Sequence, residues 1–136
     1  MFSHIGKTRT PSHNLAIASL LSFVAGLVNV VGFFSVQKLT TNVTGHFAFF
    51  VDEVFKLNFN KAFHLALFVF YFFLGAFFAN FTVETYSRIK ENETYVFPII
   101  TEAIILAIIA ITGNYLIKVN PDVIAYSLLF AMGMQN

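Results

Sequence analysis

The chain has 136 residues, 57% of them hydrophobic and only 11% charged, with 19 Phe, no Cys and a mean hydropathy of +0.75. Soluble domains carry roughly 25% charged residues, and a fold this small cannot hide so much apolar surface, so lipid is the expected solvent. The absence of Cys excludes disulfides and thiolate metal sites, and a net charge of +1 offers no basic field to nucleic acid. The expected fold class is therefore all-α: a polytopic transmembrane helix bundle whose first partner is the lipid bilayer.

Residues 1–13 (MFSHIGKTRTPSH) are polar and include Lys7 and Arg9. Residues 14–36 carry no charge and span roughly 34 Å as a helix, which predicts an uncleaved first transmembrane span. Ser22, Gly26 and Asn29 fall at i, i+4 and i+7, placing an amide on a face of small residues. Ser22 and Gly26 are thus packing candidates. Asn29 is either an interhelical hydrogen-bonding group or a wall of a polar cavity.

Residues 39–46 read LTTNVTGH, a polar uncharged cluster followed at once by the apolar FAFFV. A surface loop would place its charges among the Thr and Asn residues, whereas Asp52, Glu53 and Lys56 come only later. The order predicts a break in the chain that dips inward and opens a short, re-entrant-like helix over residues 44–55, with Thr44 as its N-cap. Gly45 is expected to supply backbone angles closed to other residues. A half-helix with its N–H groups facing a cavity binds polar or anionic groups at membrane depth. Thr41, Asn42, Thr44, Gly45 and His46 join Asn29 as candidate substrate-binding residues.

Residues 61–83 form the second span. Gly75 and Ala79 are spaced to admit a neighbouring backbone, while Phe70, Phe72, Phe73, Phe77 and Phe78 are too many to face one way, so several should meet lipid. Residues 84–94 form a charged loop. The third span, 98–117, holds Glu102 about one turn inside, where an acid either snorkels to the interface or serves a proton- or substrate-linked role near the Thr-Gly patch. A fourth, partial span opens at Pro121 and covers only about 24 Å to residue 136, which predicts a chain that continues.

FVAGLVN (23–29) and FAMGMQN (130–136) share the pattern Phe-x-x-Gly-x-x-Asn, pairing Gly26 with Gly133 and Asn29 with Asn136. The echo suggests a single membrane domain whose first repeat covers about 14–118 and whose second begins near 121. Three spans per repeat would invert the second copy; a crossing by 44–55 would make the copies parallel. Gly133 joins the packing candidates. Lys7, Arg9, Arg88 and Lys90 balance Lys38, Lys56, Lys61 and Lys118, so charge sets no orientation.

No nucleophile–base constellation, phosphate loop or dinucleotide fingerprint occurs, and His46 with Asp52 and Glu53 is not spaced as a metal set. No enzyme activity, metal or cofactor is expected. AGLVNVVGF (25–33), the VTGH patch with its short helix, the Glu-bearing third span and FAMGMQN resemble the YoaK-type family, bacterial inner-membrane proteins of unknown function. The likeness runs from about residue 15 to the end. It implies six spans in a multi-pass inner-membrane protein, a second half that repeats the Thr-Gly patch, and here its N-terminal part. Two positions depart: Asn29 stands where the family usually has Asp, removing an ionisable group, and His46 where it has Asn. The functional expectation is a permease-like protein for a small polar solute. The alternative is a non-transporting interaction or structural protein, whose small-residue faces pack against a second copy or a missing C-terminal half.

Overall fold

The computed structural model describes residues 10–87 and 96–135, and every described element is a helix. Helix α1 covers Pro11–Val36. Thr10 caps it, its hydroxyl accepting from His13 N–H, with Pro11 at a first-turn position that needs no backbone donor. The helix stops at Gln37, whose left-handed backbone (φ 56°) lets its N–H reach Phe33 O at 2.8 Å. Helix α2 (Val43–Phe55) follows, then α3 (Phe59–Ser87), α4 (Val96–Val119) and α5 (Pro121–Gln135).

Three of these, α1, α3 and α4, are long and apolar enough to cross a bilayer. They extend the expected spans by two to four residues at most ends. Helix α2, with 13 residues, reaches only about 20 Å and is too short to cross. Pro98 lies in the first turn of α4, as its entry role requires. Most of the expected loop at 84–94 and the N-terminal tail lie outside the described residues, as does Asn136 and its proposed equivalence with Asn29.

The core is organised around the shortest of the later helices. α5 buries Ile124, Ala125, Leu128, Leu129 and everything from Ala131 to Met134, packing mainly against α3 and α4 and less against α1. Close approach of α3 and α5 depends on two glycines. A Cβ on Gly75 would lie 2.0 Å from Phe130 O, and one on Gly133 would lie 2.1 Å from Phe72 O. Backbone meets backbone reciprocally at this crossing, the small-residue geometry that packs helices where lipid removes any hydrophobic drive. Ala79 is buried on the same helix. Phe70, Phe73 and Phe77 point outward, while Phe72 and Phe78 are partly buried.

Among the described residues, Gly26 and Ser22 meet no neighbouring helix closely. Nothing approaches within 4 Å of a Cβ built on Gly26, and Ser22 is exposed. The face of α1 that meets α5 carries Gly32 instead, where a Cβ would press on Thr40 at 2.6 Å and Leu128 at 3.3 Å. The spacing of small residues on α1 indicated a packing face, but which face is used depends on where α5 sits.

Candidate functional site

After Gln37 the chain turns back along α1. Thr40 N–H donates to Asn29 Oδ1 at 2.9 Å, Thr41 N–H donates to the same oxygen at 3.2 Å, and the Thr40 hydroxyl donates to Val28 O at 3.2 Å. Asn29 lies seven residues before the end of α1, so the segment returns about 10 Å into the bundle. Thr40 is fully buried. Irregular backbone at that depth leaves N–H groups without a helical partner, and the Asn29 amide satisfies two of them at once.

The next residues start α2. Asn42, not Thr44, is the N-cap: its Oδ1 accepts from Gly45 N–H at 2.9 Å and from the Thr44 hydroxyl at 3.1 Å. Gly45 sits within the helix, and its reason for being Gly is steric. A Cβ there would fall 2.9–3.0 Å from the Asn42 side chain. His46 is buried, its ring 4.9 Å from that of Phe68, and its Nε2 donates to Leu39 O at 2.6 Å, which fixes that nitrogen as the protonated one. Burial lowers its pKa; the hydrogen bond to Leu39 opposes this, and Lys38 adds to the lowering. Lys38 Nζ rests 5.1 Å from the Phe68 ring centroid and 3.8 Å from Asp122 Oδ1, tying the turn to α3 and α5.

Asn29 therefore meets the amides of Thr40 and Thr41, rather than the side chains of Asn42 and Thr44. Asn42 and Thr44 are exposed at the mouth of the turn. Beside the turn lies a cavity of about 300 Å³ lined by Ser22, Ala25, Thr41, Phe72, Met132, Gln135 and Leu21. Among the expected site residues only Thr41 lines it, together with Ser22 from the packing set.

Glu102 belongs to a second cavity, of about 210 Å³, lined by Asn80, Pro98, Met134, Leu21 and Gln135 among others. It is 7% exposed and has no hydrogen bond or ion pair among the described residues. The two cavities share Leu21 and Gln135, whose Nε2 donates to Leu21 O at 3.1 Å. Glu102 is thus separated from Asn29 and the Thr-Gly turn, and its cavity meets the one beside the turn at Leu21 and Gln135.

A family model described as a protein of unknown function, DUF1275, matches residues 17–136. The chain belongs to the DUF1275 family. No curated protein and no solved structure matches it. The matched stretch of this DUF1275 chain takes in α1 from Ile17 onward and every residue lining both cavities.

Three residues of this arrangement were not among the sequence candidates. Thr40 was one more hydroxyl in a Thr-rich stretch, and its burial depends on the left-handed turn at Gln37. Asn80 and Gln135 did carry a signal, since each is an amide inside an apolar helix, where an amide needs a partner.

Proposed function

We propose that this chain is a permease-like, multi-pass protein of the bacterial inner membrane, of the YoaK type, that passes a small polar solute. One observation carries the reading: a turn of irregular backbone is held about seven residues deep against α1, beside a cavity of about 300 Å³ to which Ser22, Thr41 and Gln135 bring polar groups. Non-helical backbone at membrane depth accompanies binding sites in transporters, because it frees backbone groups there. Thr41 and Ser22 offer hydroxyls to the solute, and Gln135 closes the cavity towards Glu102. The Phe-x-x-Gly echo is the argument for a second repeat beginning at α5, inverted because α2 does not cross; the unlike settings of Gly26 and Gly133 count against it.

The test is uptake of an untargeted metabolite mixture by cells with and without the full-length protein, repeated in vesicles containing the purified protein. Enrichment of a polar solute, reduced by Thr41→Val, supports the reading; identical profiles with and without the protein refute it.

A second reading has its own observation. Gly26 faces open space, with the exposed Ser22 one turn before it at the cavity's rim, which suits a partner helix from a second copy or from another segment. A non-transporting interaction protein would use that face. Gly26→Ile would then disrupt assembly while the uptake profiles stayed flat.

A further inference from the structure

We infer that the cavity around Glu102 is a binding site for a small protonated primary amine. Three observations converge there. Glu102 is a buried residue, 7% exposed overall, whose carboxyl lines the cavity and has no partner among the described residues. Among the described residues, no Lys, Arg or His lines the cavity with it. Removing a carboxylate from water without a partner costs several kcal/mol, so its charge calls for a companion, either a proton or a bound cation.

The two amides of the lining settle which kind of cation suits the site. Asn80 Nδ2 donates to Ala76 O at 2.9 Å and Gln135 Nε2 donates to Leu21 O at 3.1 Å. A backbone carbonyl can only accept, so in both side chains the NH₂ end is the one engaged. Each amide keeps its carbonyl oxygen as an acceptor, along with a second N–H. With Glu102 the site therefore offers three acceptor groups.

A primary ammonium has three N–H donors, one for each group. A bare divalent ion takes about six or more oxygens, which this lining does not supply. The other walls, including Leu21, Pro98 and Met134, are apolar and suit a short hydrocarbon body. At about 30 Å³ per water, 210 Å³ is room for a ligand of roughly half a dozen heavy atoms. The inference rests on the permease reading only for its direction: it names the class of solute that would pass, with Gln135 as the shared wall through which the two cavities communicate.

The experiment uses the whole chain in detergent, with butylammonium as the probe, sodium as a bare cation, and tetramethylammonium as a cation without N–H. Thermal unfolding and calorimetric titration read binding. Butylammonium should raise the melting temperature with saturation, and the other two should not. Glu102→Gln keeps the shape and removes the charge, so it should weaken butylammonium at least about ten-fold, the loss of one charged hydrogen bond. Asn80→Leu, which removes one acceptor at the cavity edge, should weaken it less. Equal binding by sodium or tetramethylammonium, unchanged binding by Glu102→Gln, or no binding by the wild type overturns the amine site. Counterflow of labelled butylamine in vesicles separates the two readings: binding without flux defeats the permease while leaving the amine site. Flux of a neutral solute with no amine binding does the opposite.

Discussion

Replacing Asn29 by Leu tests the clasp between α1 and the turn. The amide oxygen accepts from Thr40 N–H at 2.9 Å and Thr41 N–H at 3.2 Å, beside a Thr40 side chain with no exposure at all. Leu has the same number of side-chain heavy atoms, though more bulk, and no acceptor, so two backbone donors lose their partner. Each orphaned donor costs about 1–3 kcal/mol, and interhelical hydrogen bonds in membranes average nearer the low end. The two together come to about 2–4 kcal/mol, which for a chain of this size lowers the melting temperature by about 6–12 °C. Asn29→Asp keeps the acceptor, and a carboxylate receives amide hydrogen bonds at least as well. Its melting temperature at neutral pH should stay within about 3 °C of the wild type, since no donor is orphaned. Far-UV circular dichroism during heating, in one detergent and at one protein concentration, reads all three proteins. An Asn29→Leu protein that melts with the wild type would show that the turn holds itself in place and that the clasp contributes nothing.

Gly75→Leu should abolish the α3–α5 crossing, because even a Cβ would meet Phe130 O at 2.0 Å, whereas Phe77→Leu alters a ring that is 67% exposed. Detergent-solubilised protein should aggregate on gel filtration in the first case and remain monodisperse in the second; equal behaviour refutes the crossing. Single cysteines at positions 40–46 of this cysteine-free chain should react slowly with a bulky impermeant thiol reagent at Thr40 and His46 and readily at Asn42 and Thr44. Fast reaction everywhere would return the stretch to a surface loop. The lowered pKa of His46 means that the unfolded chain takes up its proton first, near pH 6.5, while the folded chain resists until lower pH. Stability should fall as pH drops below about 6.5, and His46→Gln should flatten that part of the melting profile; an unchanged slope would place the proton uptake elsewhere.

The spans and the break were legible because each rests on local chemistry. Apolar runs of sufficient length must cross lipid, and a polar cluster with Gly ahead of FAFFV must interrupt them. The partners at the break were not legible. Whether Asn29 meets Asn42 or the amides of Thr40 and Thr41 is decided by the direction in which the chain leaves the left-handed Gln37. Gly26 and Gly133 stand in the same pattern, yet one faces open space and the other a carbonyl, because pattern identifies a small-residue face but not its neighbour. The apolar helices also look alike all round, since lipid and core ask for the same residues, so nothing in the sequence marked α5 as the centre. Glu102 stood out as an acid in a span, but its distance from the Thr-Gly turn depends on how α4 and α5 are paired.

The central place of α5 has a consequence for how the protein comes to be made. α1 packs chiefly on α5, α3 and α4 share few contacts with each other, and α5 is the last of the five helices to leave the ribosome. Until it arrives, Gly75 on α3 has only lipid or the insertion machinery against it, and Gly32 on α1 has only the Thr40 turn that follows its own helix. Packing of the three spans is therefore withheld until the fifth helix, although α2 already rests on α3, so a pause in synthesis before Pro121 would leave α1 and α4 loosely held beside an α2–α3 pair.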